Sequence, residues 1–172
     1  MTAVPSLPTW AYKDKVTSAK LQQMADVASF LMSPPYCKVT STVVQSLPDN
    51  TTTALVWNSA LADDLGMWDS GSPTRITAVY PGNYVVLPVV EFGSNASGSR
   101  RVDIRINGSS LDGSVRRSAL GASPEGLPMG NIVHLAAGDY IEILATLTSA
   151  GGPIDTGLSG FDPKVSVLWV RA

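Results

Sequence analysis

Residues 30–44, Phe30-Leu31-Met32-Ser33-Pro34-Pro35-Tyr36-Cys37-Lys38-Val39-Thr40-Ser41-Thr42-Val43-Val44, are where the chain changes its period. Before Pro34-Pro35 apolar residues recur at helical spacing, and after it they recur every second residue. Two consecutive prolines remove two backbone donors and bias the residues before them away from helix, so a helix must stop here. The pattern therefore predicts one short helix followed by a body built of strands.

Upstream of the break, Thr17 is placed to cap a helix, its hydroxyl accepting from a free amide of the first turn. Leu21, Met24, Ala28 and Leu31 follow at spacings of three, four and three, a heptad seam with Val27 beside it. Lys20, Gln22, Gln23, Asp26 and Ser29 fall mostly on the other side. A lone helix of about four turns is marginal in water. It needs a surface to pack on, either its own body or another chain. Residues 1–16 hold Pro5, Pro8, Trp10 and Tyr12 and little periodicity, and read as an extended arm. Trp10 and Tyr12 also need a covering surface. The sequence divides into an arm and helix over 1–35, for attachment and oligomerisation, and a head over 36–172.

Downstream, strands are expected over Lys38–Val44, Thr53–Trp57, Arg75–Val79, Tyr84–Phe92, Arg101–Ile106, Ile132–Leu135, Tyr140–Leu147 and Val165–Val170. Pro88 interrupts one of them and predicts an edge or a bulge, because proline cannot donate to a ladder. Asn107-Gly108 is the favoured dipeptide of a two-residue hairpin. The stretches 58–74, 93–100, 109–130 and 149–162 read as outer loops. Eight to ten short strands at regular spacing give an all-β fold class, a jelly-roll sandwich preceded by the helix and arm. Tyr84–Val90, Ile141–Leu147 and Val165–Val170 are apolar at nearly every position, which implies cover on both faces. A small sandwich gains that second cover from copies of itself, so a homo-oligomer is expected, with Tyr84, Val86, Ile141, Ile143, Val167 and Trp169 as its core contacts.

Composition narrows the function classes. Of 172 residues, 44% are hydrophobic and only 15% charged, against a usual charged share of about a quarter. A chain with so few charges stays soluble by exposing Ser, Thr, Asn and Gly or by hiding apolar surface in an oligomer, and both are expected. The formal net charge is −2. Arg100-Arg101 with Arg105, and Arg116-Arg117, are the densest basic clusters, and they read as solvated strand-face charge rather than a phosphate-backbone site. Nucleic acid is not an expected partner. No apolar run approaches the roughly 20 residues of a membrane helix, so no membrane is expected either. The start, Met1-Thr2-Ala3-Val4-Pro5, lacks the basic and apolar regions of an export signal, and synthesis in a cytoplasm is expected.

Catalytic chemistry finds little support. His134 is the single histidine and Cys37 the single cysteine, and no nucleophile-elbow pattern occurs. Cys37 reads as a small apolar residue. No enzyme activity and no cofactor are expected. Asp63, Asp64 and Asp69 are oxygen donors that could attract calcium, although no Asp-x-Asp-x-Asp-Gly loop is present. Met67 and Trp68, in the same loop, are candidates for ligand contact.

Five pieces, in order, resemble the trimeric jelly-roll heads of the tumour-necrosis-factor and complement globular-head superfamily. They are Thr53–Trp57, Pro81-Gly82-Asn83-Tyr84-Val85-Val86, Val102–Gly108, Val133–Ile143 and Lys164–Val170. The piece Val133-His134-Leu135-Ala136-Ala137-Gly138-Asp139-Tyr140-Ile141-Glu142-Ile143 is the most specific. Trp10, Val16-Thr17-Ser18-Ala19-Lys20-Leu21 and Phe30-Leu31-Met32-Ser33-Pro34-Pro35 are similar to the front end of proteins encoded by tailed bacteriophages and prophages of actinobacteria. Gln22 stands where that pattern has Asn. The resemblance implies a homotrimeric virion protein. The role expected of such a protein is a tail-fibre or minor tail protein that binds a host-surface glycan or protein, or a capsid decoration protein that stabilises the shell at three-fold sites. In either case residues 1–35, through Trp10, Tyr12, Leu21, Met24, Ala28 and Leu31, are expected to join it to a tail or major capsid protein. A free-standing glycan-binding module is the third reading.

Overall fold

The structure is a computed structural model and describes residues 3–121, 123–150, 152–157 and 160–172. Residues 1, 2, 122, 151, 158 and 159, which belong to the expected arm and to the expected loops 109–130 and 149–162, lie outside the described residues. The helix α1 spans Ser18–Met32, and Thr17 caps it: its Oγ1 accepts from the Lys20 amide at 3.3 Å. Thirteen strands follow among the described residues, against the eight to ten expected. They are β1 Tyr36–Thr40, β2 Gln45–Leu47, β3 Thr52–Ala54, β4 Ser59–Asp63, β5 Arg75–Thr77, β6 Gly82–Phe92 and β7 Ser99–Ile106. Then come β8 Ser110–Ser118, β9 Glu125–Pro128, β10 Asn131–Leu135, β11 Tyr140–Thr148, β12 Ile154–Thr156 and β13 Lys164–Arg171.

Two antiparallel sheets face each other. One runs β10-β6-β13-β1-β4, with β9 also paired to β6, and the other runs β3-β11-β7-β8, with β5 also paired to β11. The strands β12 and β2 form a small third ribbon. Side chains alternate across each strand, so every second residue points between the sheets. On β11 these are Ile141, Ile143, Ala145 and Leu147. On β6 they include Tyr84, Val86, Val90 and Phe92, and on β13 Val165, Val167 and Trp169, all in one buried core.

Several expectations are corrected by the register. Pro88 lies in a central strand rather than at an edge, paired to Val165 of β13. On the other side of β6, β10 covers residues 82–86 and β9 covers 89–92. The Pro88 carbonyl accepts from the Met129 amide at 3.0 Å at the junction of β9 and β10. A strand residue aims its carbonyl and its nitrogen the same way, so the missing donor faces this break and costs no ladder bond. The 109–130 stretch holds two strands, β8 and β9. Its Ser-Leu-Asp-Gly-Ser-Val-Arg-Arg-Ser segment has little apolar alternation, and its order comes from pairing to β7 over Ser99–Ile106. The expected loop 58–74 contains β4.

Local turn chemistry follows the sequence closely. Asn107 and Gly108 both take positive φ, 51° and 75°, as a type I′ hairpin requires. The Asn107 amide then ties a second turn: its Nδ2 donates to Asp139 Oδ1 at 2.9 Å and its Oδ1 accepts from the Tyr140 amide at 3.0 Å. Asp139 Oδ2 closes its own turn by accepting from Ala136 N at 2.8 Å. The Asn107 and Ala136 donors hold the Asp139 carboxyl below its ordinary pKa. Gly82 opens β6 at φ 146°, where a Cβ would strike the Arg171 carbonyl and the Trp169 indole, so no other residue fits.

Cys37 on β1 is fully buried in the core. Burial, and secondarily the charges of Asp63 and Asp64, push its thiol up to about 12. The thiolate is the reactive form. Native protein at pH 8 is therefore expected to resist iodoacetamide at Cys37 and to react once unfolded. Labelling of the native protein at the unfolded rate would contradict this burial.

Candidate functional site

The site is built on the outward side of the six-stranded sheet. The alternation that sends Tyr84, Val86 and Val90 inward sends Val85, Leu87 and Val89 outward, and on β13 it does the same to Ser166, Leu168 and Val170. Register places these side chains in rows. Tyr36, Leu168, Val85 and Ile132 cross four strands in one row. Lys38, Ser166 and Leu87 form the next, and Lys164, Val89 and Pro128 the third. Leu87, Val89, Ile132, Leu168 and Val170 are 49%, 47%, 65%, 38% and 48% exposed. A contiguous apolar field on a sheet face marks an interaction surface, whereas scattered single residues do not.

At one end of this face lies a hollow of about 640 Å³. Leu87, Val89 and Phe161 supply its apolar wall, and Lys38, Lys164, Glu91 and Asp162 its charges. Burial raises the Glu91 carboxyl above its ordinary pKa.

The expected trimer-core residues are corrected here. Tyr84, Val86, Ile141, Ile143, Val167 and Trp169 are all buried within the protomer, between its two sheets. They have no surface left for another copy. β6 and β13 are apolar on both faces, and the apolar residues they leave exposed are the outward neighbours of this set. On β11 the outward positions include Glu142 and Thr146, so that strand does not extend the apolar field.

Met67 and Trp68 are also corrected. Met67 is 2% exposed and belongs to the core, and half-buried Trp68 donates its indole N–H to the Pro73 carbonyl at 3.3 Å. Asp63 organises this loop, with Oδ1 accepting from Met67 N at 2.8 Å and Oδ2 from Trp68 N at 3.1 Å. Asp69 accepts from Gly71 N at 3.2 Å. Both carboxylates thus serve loop amides, and no group of three metal-ligating side chains occurs among the described residues. His134 is exposed on the outward side of β10.

The N-terminal anchors stand outside the head. Phe30 alone among the large helix residues meets aromatic partners, edge-on against Tyr80 at 5.0 Å and Trp169 at 4.7 Å. Leu21, Met24, Ala28 and Leu31 lie exposed along the helix, and none of its residues is fully buried. Tyr12 is 90% exposed, and Trp10 lies beneath the Lys20 ammonium at 4.4 Å. Phe30 is thus the helix's aromatic clasp on the head, and in the arm Val4 also packs against the core. Phe30→Ala is expected to free the helix Ser18–Met32 to proteolysis while lowering the head's melting temperature by only a few degrees. Unchanged cleavage would contradict the clasp.

The opposite sheet has a polar outward side. On β7, Arg101 donates Nη2 to Asp103 Oδ2 at 2.6 Å, and Ser114 Oγ donates to Asp103 Oδ1 at 2.7 Å. Arg100 points inward instead and is fully buried, forming an ion pair with Glu125 of β9 at 3.3 Å. The expectation that the Arg100-Arg101 cluster is solvated charge is thus wrong for Arg100.

No protein-family model and no curated protein matches the chain. Solved structures do. The globular domain of zebrafish complement 1qA protein superposes with a TM-score of 0.60 at 11% identity, over 80% of this chain and 99% of that one. Murine APRIL superposes with a TM-score of 0.60 in two crystal structures, at pH 5.0 and pH 8.0. Identity is 13% and 14%, and each covers 79% of this chain and 98% of that one. These likenesses show the fold, the jelly roll that the strand pieces resembled. At such identity they carry nothing about partners or ligands.

Proposed function

We propose that the protein is a homotrimeric structural protein of a tailed bacteriophage virion, a surface-exposed head held by its N-terminal arm and helix. The observation that carries the trimer is the exposed apolar field of Leu87, Val89, Ile132, Leu168 and Val170 on one sheet face. Packing three copies about an axis hides that field and buries the sheet in a closed, symmetric assembly. The virion assignment rests on the front-end resemblance at Trp10, Val16–Leu21 and Phe30–Pro35. In this reading Trp10, Tyr12, Leu21, Met24, Ala28 and Leu31 dock on a tail or major capsid protein. The head's outer loops and polar sheet then face a host-surface glycan or protein, as in a tail fibre or minor tail protein. The protein is no enzyme in this reading, has no resident cofactor and contacts neither nucleic acid nor membrane.

A second reading, a capsid decoration protein, is favoured by a specific pairing of observations. The attachment residues are exposed, whereas Met67 and Trp68, the aromatic-loop candidates for recognition, are withdrawn into the fold. A decoration protein needs only the attachment surface. Gold labelling of intact particles with an antibody to the head separates the two. Label at the tail tip supports adsorption, label across the shell supports decoration, and unlabelled particles rule out the virion assignment. Native mass tests the trimer independently: 18.0 kDa at micromolar concentration would refute it.

A further inference from the structure

We propose that the outward side of the five-stranded sheet binds an oxyanion carried on a polyol, the shared chemistry of an acidic sugar and of a sugar or glycerol phosphate. The site is a recess of about 160 Å³ where β7, β8 and β11 run side by side, lined by Arg101, Arg116, Ser99, Thr146, Thr148 and Asn50. It extends the reading of the head as a presented recognition surface, but stands on its own residues.

The argument begins with charge. Arg101 and Arg116 sit directly opposite each other across the β7–β8 ladder. Like charges at such a pair repel. One carboxylate, Asp103, offsets them, and both of its oxygens are already engaged, by Arg101 and by Ser114. The recess thus keeps one uncompensated positive charge on a chain whose net charge is −2.

The donors are also aimed and spare. Arg116 Nε donates to Ser99 Oγ at 3.1 Å, which holds the guanidinium over the recess. Its two terminal nitrogens have no protein partner among the described residues. Arg101 spends Nη2 on Asp103, its Nη1 has no protein partner among the described residues, and its Nε is buried away from the recess opening. The paired terminal nitrogens of Arg116, with Arg101 Nη1 beside them, suit a planar or tetrahedral oxyanion, which accepts paired N–H bonds.

The rest of the wall is hydroxyl. Ser99 and Thr148 lie 3.2 Å apart through their hydroxyl oxygens, and Thr146 shares a 2.9 Å hydrogen bond with Thr52. Ser99 Oγ also accepts from Arg116 Nε and Thr148 Oγ1 from the Ser99 amide, so one hydroxyl of that pair retains a lone pair for a ligand O–H, and Thr146 retains another. Asn50, in left-handed conformation at φ 53°, adds an amide at the rim. Two cations are too few to follow a nucleic-acid backbone. Two cations among hydroxyls suit one acidic group on a polyhydroxylated ligand.

The test uses the full chain and isothermal titration calorimetry with three probes: glucuronate, glycerol phosphate and neutral glucose. At low salt one or both anions are expected to bind, more weakly at high salt, and glucose is not. The tighter anion identifies the source. Arg116→Ala, at an exposed position that leaves the core untouched, is expected to weaken binding about tenfold or more. Arg116→Lys is expected to fall between, since it keeps the charge and loses the fork. Arg171→Ala, on the other sheet, should change nothing. Failure of both anions to bind, equal binding of glucose, or an Arg116→Ala affinity equal to wild type would overturn the proposal. Leu87→Asp, on the opposite sheet, should retain anion binding whatever its oligomeric state, so this site and the trimer stand or fall separately.

Discussion

Leu87→Asp is expected to convert an assembly of three 18.0 kDa chains into single chains. Leu87 sits at the centre of the apolar field, between Val85 and Val89 along β6 and beside Ser166 of β13. It is half exposed in the protomer, so an aspartate there is solvated and leaves the isolated head intact. In the trimer the same carboxylate would have to leave water, in three copies around one axis. Removing an unpaired ion from water costs several kcal/mol even after relaxation. Subunit contacts that depend on apolar burial at about 25 cal/mol per Å² cannot absorb three such penalties. Native mass spectrometry of the purified variant reads the outcome, and thermal melting confirms that the head still folds. A variant that keeps the wild-type mass would move the interface elsewhere. A wild type that is itself monomeric would remove it.

Arg100→Met is expected to be the most damaging single change in the core. Arg100 reaches through the sandwich and joins the two sheets at one end. Nη2 donates to the Asn95 carbonyl at 2.9 Å, and Nη1 to the carbonyls of Ser97, Ser99 and Thr148 at 3.0–3.3 Å. Its ion pair with Glu125 crosses from β7 to β9, and both side chains are all but inaccessible. Methionine fills much of the volume but leaves Glu125 buried without a counter-charge, and Glu125 Oε2 already lacks a partner. Breaking one side of a buried pair typically costs about 3–5 kcal/mol. Domains are stable by only about 5–15 kcal/mol, so a fall in melting temperature of roughly 10 °C is expected. The double variant Arg100→Met with Glu125→Gln removes both charges and should recover part of the loss. Calorimetry of both variants checks this. A single variant as stable as wild type would mean that the pair contributes nothing net.

The two predictions differ in how far the sequence foresees them. The unbroken apolar character of Tyr84–Val90 and Val165–Val170 already implied cover on both faces. Strand alternation alone does not say which alternate set faces the sister sheet and which faces outward, because both sets are apolar. The set Tyr84, Val86, Val167 and Trp169 is the one that faces the sister sheet. Ile141–Leu147 was over-read for a related reason, since Glu142 and Thr146 mark its outward side as polar. Met67 and Trp68 looked exposed because they sit in a Gly- and Asp-rich segment. Asp63 folds that segment inward by gathering the Met67 and Trp68 amides.

What the sequence determined by itself is whatever depends on near neighbours in the chain. That includes the helix from its Thr17 cap to the Pro34-Pro35 stop, the Asn107-Gly108 hairpin, most strands and the all-β jelly roll. It includes the exposed seam Leu21, Met24, Ala28 and Leu31, whose spacing is local. Tertiary structure alone decided what depends on residues far apart in sequence. Pro88 is tolerated in a central strand because β9 and β10 break opposite it. The Gly- and Ser-rich 110–118 segment is a strand because β7 supplies its hydrogen bonds. Arg100 lies in the core while Arg101, one residue on, faces outward, because a ladder sends adjacent side chains to opposite faces and only the partner sheet says which face is dry. Arg101 meets Arg116 across fifteen positions of chain for the same reason: strand register, a long-range property, places side chains that no local pattern brings together.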